Sequence, residues 1–123
     1  MLDVLRDVHV ATLVFNDAAR KNAMTPELGD ALRAAVTALK GDEGVRAVVL
    51  TGAGGAFSAG GDLRMLERLR VATRDESRAH MRAFYARYLS ILELDVPTIA
   101  AIEGPAIGAG LCVALACDLC IVD

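Results

Sequence analysis

Two glycine-rich segments carry the most specific chemistry in this sequence. One reads GAGGAFSAGGD from Gly52 to Asp62, and the other reads GPAIGAG from Gly104 to Gly110. Glycine costs backbone entropy, so such clusters mark places where the main chain turns unusually or approaches something closely. Main-chain N–H groups without bulky neighbours can stabilise the negative charge that develops on a carbonyl oxygen. The two loops therefore predict a pair of amides for one oxyanion, although the glycines could also serve only to form tight turns.

Phosphate binding is the other chemistry that glycine-rich loops perform. The dinucleotide fingerprint requires Gly-x-Gly-x-x-Gly, but the run that begins at Gly52 reaches Phe57 where the last glycine belongs. The phosphate-loop pattern requires Gly-Lys followed by Ser or Thr, and this triplet does not occur in the sequence. Carbonyl chemistry therefore fits the loops better than nucleotide binding.

Apolar segments flank the two loops and predict the elements that hold them. VRAVVLTG (45–52) and TIAAIEG (98–104) are nearly continuous apolar runs, typical of strands in a parallel sheet that is covered on both faces. An apolar helix is predicted near Ala109 to Ala116, and DLCIVD (118–123) returns as a strand. The alternation of strands and helices indicates an α/β fold with parallel pairing.

The remaining segments complete this pattern. VHVATLVFN (8–16) predicts a strand, paired through an Arg6-Asp7 turn with a short strand near Leu2 to Leu5. Thr25 as N-cap and Pro26 at the first helical position predict a helix that ends at Gly41. Two further helices are predicted, a short one over DLRMLERLR (62–70) and a longer one from about Arg74 to Leu94, with a stripe formed by Met81, Phe84, Tyr88 and Leu92.

Composition narrows the possible partners and compartments. The 123 residues fit one small domain, and the net charge of −3 without a basic run argues against nucleic acid. No secretion signal is evident at the N-terminus, and no apolar run approaches the roughly 20 residues that span a bilayer. The three cysteines are an odd number, which favours reduced thiols and a cytoplasmic location.

Several blocks of the sequence resemble the enoyl-CoA hydratase/isomerase, or crotonase, family. They are RKNAMT, AVVLTG followed by FSAGGDL, VPTIAAIEGPAIGAG, and ALACDL, and they occur in this order along nearly the whole chain. The resemblance implies an α/β crotonase-like fold, a spiral of strand-strand-helix units. It covers the family's N-terminal half, so residues 1–123 are expected to be the N-terminal part of a single acyl-CoA-binding domain.

The resemblance also implies site residues. The oxyanion donors would be the main-chain amides of Gly61 and Ala109, and the family's first catalytic Glu would fall at Cys112. Members of the family bind CoA thioesters and hydrate or isomerise enoyl-CoA in fatty-acid metabolism, without a cofactor or metal, commonly as homotrimers or hexamers. The residues expected to contact substrate or CoA are Lys21, Asn22, Ala23, Ala59, Gly60, Asp62, Leu63 and Gly108.

Cys112 is the main departure from the family pattern. A thiol is a poor substitute for a carboxylate base, and the family's second acidic residue would fall about twenty residues later, beyond Asp123. Hydration is best served by two acid/base groups, whereas moving a double bond requires only proton transfer, so the substitution favours an isomerase or an unusual member of the family over a hydratase. A non-catalytic binding or oligomerisation module with the same fold is the alternative.

Other candidate residues have ordinary structural explanations. Asp62 is expected to cap the helix that follows it. Glu103 could replace the missing base, but a strand-end carboxylate bonded to backbone amides explains it better. Cys117 and Cys120 are spaced like a metal pair, yet no second pair accompanies them, so core thiols are expected. His9 and His80 are expected at the surface or in packing. Arg64, Arg68, Arg70 and Arg74 are expected on a solvated face, with contact of one of them to a CoA phosphate as the alternative.

Overall fold

The computed structural model describes all residues from Met1 to Asp123, and it contains one five-stranded sheet. The strands are β1 (Leu2–Asp7), β2 (Val10–Phe15), β3 (Ala47–Gly52), β4 (Thr98–Ile102) and β5 (Leu119–Val122), and they lie in this order across the sheet. β1 pairs antiparallel with β2, and every other neighbouring pair is parallel. The predicted α/β fold with parallel pairing is confirmed.

The hairpin between β1 and β2 turns later than the sequence predicts. Arg6 and Asp7 belong to β1, where they pair with Ala11 and Val10. The turn lies instead at Val8 and His9, and Val8 adopts a positive φ of 48°. The predicted Arg6-Asp7 turn is therefore wrong, because both residues still pair with β2 and only Val8 and His9 lie between the paired strands.

Four α-helices connect the strands. They are α1 (Pro26–Lys40), α2 (Leu63–Val71), α3 (Arg74–Tyr88) and α4 (Ala109–Leu115), with short 3-10 helices at Ala18–Arg20 and Leu89–Glu93. Thr25 caps α1 by accepting a hydrogen bond from the Leu28 amide, and Asp62 caps α2 by accepting one from Met65. Both predicted helix starts are confirmed. No helix of the chain has the length and apolar character needed to cross a bilayer.

The predicted long helix ends earlier than expected. α3 stops at Tyr88, and the chain tightens into the 3-10 helix from Leu89 to Glu93. Because a 3-10 helix has three residues per turn, the apolar stripe that continues from Phe84 to Tyr88 does not reach Leu92. Leu92 is 62% exposed, so its predicted place in the stripe is wrong.

An aromatic cluster joins the sheet, the first glycine-rich loop and α3. Phe15 at the end of β2 packs edge-on against Phe57, with ring centroids 5.8 Å apart, and also against Tyr88. All three side chains are fully buried. The sheet is buried on one face only, since alternate residues of β3 are half-buried and β5 is exposed along its length. The expectation of a sheet covered on both faces is therefore wrong for this chain.

Candidate functional site

The first glycine-rich loop leaves β3 and is pinned to the second loop by Ser58. The Ser58 amide donates to the Pro105 carbonyl at 3.1 Å, and the Ser58 carbonyl accepts from the Ile107 amide at 2.9 Å. Its buried hydroxyl donates to the Asn22 carbonyl and accepts from the Gly60 amide. Ser58 therefore fixes the two loops side by side, a role that sequence reasoning missed because the partners lie far apart along the chain.

The side chain of Asn22 holds the first glycine-rich loop through hydrogen bonds. Its side chain is fully buried, accepts a hydrogen bond from the Asp17 amide at 2.8 Å, and donates to the Ala53 and Ala56 carbonyls at 2.9 and 2.7 Å. Its φ of 56° lies in the left-handed region, which Asn tolerates better than most residues. The Asn22 side chain thus positions the loop, and a contact between Asn22 and CoA stays a prediction.

Gly60 is the point of closest approach between the loops. It has a φ of +84°, and a Cβ built on it would lie 2.5 Å from the Ile107 carbonyl oxygen and 3.5 Å from the Ala109 nitrogen. Only glycine fits here, since both the conformation and the space exclude a side chain. The start of α4 consequently lies directly beside the segment that leads into Gly61.

The amides of Gly61 and Ala109 have no hydrogen-bond acceptor within the chain. Met24 bonds to the residues on either side of Gly61, accepting from the Asp62 amide and donating to the Gly60 carbonyl. In such a parallel bridge the N–H of the middle residue points away from the partner. Ala109 is the first residue of α4, where an amide has no partner in the helix. Both N–H groups are free to bind a ligand atom.

Both residues line one cavity of about 280 Å³, which we call the glycine cavity. Six of the residues predicted for the site lie in its wall: Ala59, Gly60, Gly61, Leu63, Gly108 and Ala109. The rest of the wall consists of Met65, Leu66, Met81, Phe84, Tyr85 and Ile107. The wall contains no carboxylate. Lys21, Asn22, Ala23, Asp62 and Cys112 are not among the lining residues.

Tyr85 carries the only side-chain oxygen or nitrogen in the wall of the glycine cavity. Its ring packs at 90° against Phe84, with centroids 5.3 Å apart. Burial raises the pKa of the Tyr85 phenol, and the neighbouring Cys112 thiol raises it further. Cys112 itself lies on α4 and is exposed. Sequence reasoning missed Tyr85, because it lies beside the predicted apolar stripe of α3 rather than on it.

A second cavity of about 490 Å³ lies beside the first, and half of its 12 lining residues are charged. Its wall holds three arginines, Arg20, Arg64 and Arg68, and three carboxylates, Glu27, Asp62 and Glu76. We call it the charged cavity. Met65 lines both cavities, so the start of α2 separates an apolar chamber from a charged one. Arg20 also pairs with Asp17, which lowers the pKa of that carboxyl.

The structure also places the remaining candidates, which are one carboxylate, two histidines and two cysteines. Glu103 is exposed, lines neither cavity and accepts no hydrogen bond, so its predicted bond to backbone amides is wrong. His9 contacts the Gly44 carbonyl at the surface, while His80 lines the charged cavity. Cys117 is buried but Cys120 is exposed, so only the first is the expected core thiol.

Comparison with known proteins gives a consistent result. Residues 6–123 match the family model described as enoyl-CoA hydratase/isomerase. A Thermus thermophilus protein provisionally named as an enoyl-CoA hydratase is 44% identical over 115 residues, and the match covers 94% of this chain and 46% of that protein. A 4-chlorobenzoyl coenzyme A dehalogenase from Arthrobacter is 38% identical, with 91% of this chain and 41% of that enzyme covered.

Solved structures agree with these matches. The enoyl-CoA hydratase/isomerase from Xanthobacter autotrophicus Py2 superposes with a TM-score of 0.90 and 35% identity, covering 98% of this chain and 45% of that chain. An enoyl-CoA hydratase from Polaromonas superposes with a TM-score of 0.88 and 31% identity, covering 98% and 47%. The chain therefore spans about half the length of the relatives it matches.

Proposed function

This chain belongs to the enoyl-CoA hydratase/isomerase family, and we propose that it binds an acyl-CoA thioester and stabilises the enolate of that thioester. The observation that carries the proposal is the pair of free amides, at Gly61 and Ala109, in the wall of one cavity. Two N–H groups aimed at the thioester oxygen would offset the charge that develops when a neighbouring carbon loses a proton. Losing one such donor in other enzymes costs about 10²–10³ in rate.

The two adjoining cavities suit the two ends of an acyl-CoA. The glycine cavity has an almost wholly apolar wall, which fits an acyl chain next to the thioester. The charged cavity presents Arg20, Arg64 and Arg68, which suit the phosphates of CoA. Ala59, which the family resemblance places beside the adenine, lines the glycine cavity and would there contact the acyl end of the substrate instead.

Double-bond isomerisation fits the cavity better than hydration. Hydration requires a water molecule to be activated and a second proton to be delivered, which two positioned acid/base groups do best. The wall of the glycine cavity holds no Asp or Glu, and the position of the family's first Glu is Cys112. Proton transfer between two carbons of one acyl chain requires fewer positioned acid/base groups than hydration does.

Non-catalytic acyl-CoA binding is the second candidate. Binding requires only the amides, the apolar wall and the arginines, all of which lie in the walls of the two cavities. Assembly as a homotrimer or hexamer and a cytoplasmic location stay predictions for this chain.

Binding and turnover assays on the same preparation separate the candidates. Hexanoyl-CoA would be titrated calorimetrically, and conversion of 3-hexenoyl-CoA and 2-hexenoyl-CoA would be followed by absorbance. We expect binding and interconversion of the two double-bond isomers. Binding without turnover would favour the non-catalytic module, and hydration of 2-hexenoyl-CoA would contradict the preference for isomerisation. No binding at all would end the proposal.

A matched set of arginine variants tests the placement of CoA. Arg64 and Arg68 line the charged cavity, whereas Arg70 lies on the same helix but outside it. Arg64→Ala and Arg68→Ala should each weaken hexanoyl-CoA binding about 10-fold or more, since a hydrogen bond to a charged group contributes about 1.5–3 kcal/mol. Arg70→Ala should leave the affinity unchanged. Equal effects of all three substitutions would indicate a general charge effect rather than a site.

A further inference from the structure

A largely apolar groove adjoins the glycine cavity on the side of α3. It has a volume of about 450 Å³, and we call it the α3 groove. Two of its lining residues, Met81 and Tyr85, also line the glycine cavity, so the two spaces meet at side chains one helical turn apart. The full set recurs every three or four positions along α3 and into the 3-10 helix after it: Arg78, Met81, Arg82, Tyr85, Ala86 and Leu89.

We propose that the tail of a longer acyl chain passes Met81 and Tyr85 and lies in the α3 groove, so that the site accepts medium- and long-chain acyl-CoA. This inference rests on the proposed function, because it extends the binding site of the same thioester. The glycine cavity, at about 280 Å³, lies just below the range of about 300–1,000 Å³ that is usual for ligand pockets. The thioester and the first carbons would fill it, and further methylenes require another apolar surface.

The order of the three spaces matches the order of the parts of an acyl-CoA. The charged cavity meets the glycine cavity at Met65, and the glycine cavity meets the α3 groove at Met81 and Tyr85. The free amides of Gly61 and Ala109 lie in the wall of the middle space. CoA phosphates, thioester and acyl tail would therefore follow one another along one continuous path.

The residues of the groove suit a flexible hydrocarbon chain. Met81 is half-buried and unbranched, and methionine adapts its shape to irregular apolar neighbours more readily than branched residues do. Beyond it lie Ala86 and Leu89, and a helix rises about 12 Å between positions 81 and 89, which is enough for several methylenes. Arg78 and Arg82 also suit such a groove, because arginine stems can cover apolar surface while their charged heads stay in water.

The first test measures affinity as a function of acyl length. Butanoyl-, hexanoyl-, octanoyl- and dodecanoyl-CoA would be titrated calorimetrically, below the concentrations at which they form micelles. Full burial of one methylene strengthens binding about 4-fold, so an open groove that covers about half of each methylene should give about 2-fold. We expect the affinity to keep rising by this factor up to dodecanoyl-CoA. An affinity that stops rising at hexanoyl-CoA would confine the chain to the glycine cavity and overturn the proposal.

A charge placed in the groove tests where the tail lies. Ala86 is exposed and lines the α3 groove but not the glycine cavity, whereas Ala83 is exposed on the same helix and lines neither. Ala86→Asp should lower the ratio of dodecanoyl-CoA to butanoyl-CoA affinity about 10-fold, because the tail would leave the groove rather than desolvate a carboxylate. Ala83→Asp adds the same charge and should keep the parent ratio. A parent-like ratio in Ala86→Asp would overturn the assignment of the tail to this groove.

Met81→Phe tests the passage between the two spaces. A phenyl ring cannot rearrange as a thioether chain can, so the substitution should also lower the ratio of dodecanoyl-CoA to butanoyl-CoA affinity. A parent-like ratio would contradict a path past Met81. If the parent chain bound none of the acyl-CoAs, the proposed function itself would be overturned. If it bound butanoyl-CoA without any gain for longer chains, only the assignment of the α3 groove would be overturned.

Discussion

Gly60 and Ile107 approach so closely that a Cβ on Gly60 would lie 2.5 Å from the Ile107 carbonyl oxygen. The contact joins the two glycine-rich loops just before the residues proposed to bind the thioester oxygen. A backbone oxygen cannot swing away as a long side chain can, so any side chain at this position must push the loops apart. The spacing of the Gly61 and Ala109 amides therefore depends on a glycine at position 60.

Gly60→Ala should lower both stability and acyl-CoA binding. Gly55→Ala is the matched control, because Gly55 also has a positive φ, of +73°, but nothing lies within 4 Å of its added Cβ. Strain alone should cost each variant about 1–2 kcal/mol. The clash should cost Gly60→Ala about 1–3 kcal/mol more. Urea denaturation measures the difference, and equal midpoints for the two variants would contradict the close contact.

Ala109→Pro should remove one proposed oxyanion donor without destroying α4. Proline is well tolerated at the first helical position, which Ala109 occupies, and Gly108 before it has no side chain to clash. Turnover of 3-hexenoyl-CoA should fall about 10²–10³-fold. Ala109→Gly keeps the N–H group and should stay close to the parent rate. Parent-like turnover by a folded Ala109→Pro chain would show that this amide does not bind the oxyanion.

Features that depend on neighbouring residues could be predicted from the sequence. Thr25 followed by Pro26 marks the start of α1, and Asp62 marks the start of α2, because a cap acts on amides only a few residues away. The parallel strands could be predicted from short apolar runs separated by helices. The family resemblance then indicated Gly61 and Ala109, which the structure finds in the wall of one cavity.

Features that depend on packing between distant segments could not be predicted in this way. Ser58 bonds to residues almost fifty positions later, and nothing in FSAGG distinguishes it from an ordinary loop serine. Tyr85 lines the glycine cavity together with residues of both loops, a placement that helical periodicity does not encode. Leu92 lies outside the predicted stripe because a 3-10 helix replaces the α-helix after Tyr88. The position of this change depends on where the chain turns towards β4.

Asn22→Ala should destabilise the chain strongly. The substitution leaves the Asp17 amide and the Ala53 and Ala56 carbonyls without their partner, and it puts Ala at a φ of 56°. Each buried polar group left unpaired costs about 1–3 kcal/mol, so a total of about 3 kcal/mol or more is expected. Asn16→Ala is the control, because Asn16 is exposed and its side chain bonds only to Asp3. A loss below about 1 kcal/mol for Asn22→Ala, measured by urea denaturation, would contradict this role.

Asp118 should make folding stability depend on pH at acidic values. Its carboxylate accepts hydrogen bonds from the Thr98 amide at 2.7 Å and hydroxyl at 2.8 Å, and these bonds lower its pKa in the folded chain. Because the folded pKa is below the unfolded one, the stabilisation is present above the unfolded pKa, about 4, and is lost as pH falls through the folded value.

The comparison of Asp118→Asn with the parent chain measures this contribution. The parent should have the larger free energy of unfolding at pH 7. The difference between parent and variant should become smaller as the pH falls below about 4. Asp95→Asn is the control, because the exposed Asp95 carboxylate accepts no hydrogen bond. A gap between parent and Asp118→Asn that stays constant from pH 7 to pH 3 would show that the bonds to Thr98 do not depend on the charge of Asp118.

Cys117 should resist alkylation while the chain is folded. Burial raises the pKa of its thiol to about 11, and only 8% of the residue is exposed, whereas Cys112 and Cys120 are exposed. The thiolate is the reactive form, so a pKa near 11 lowers reactivity at pH 8 by about 10² relative to an ordinary thiol. Iodoacetamide labelling followed by peptide mass mapping should therefore modify the other two cysteines first, and Cys117 only after urea is added. If Cys117 were labelled at the rate of Cys120 in the folded chain, α4 would not cover the Cys117 thiol. The placement of Ala109 at the start of α4 would then be contradicted as well.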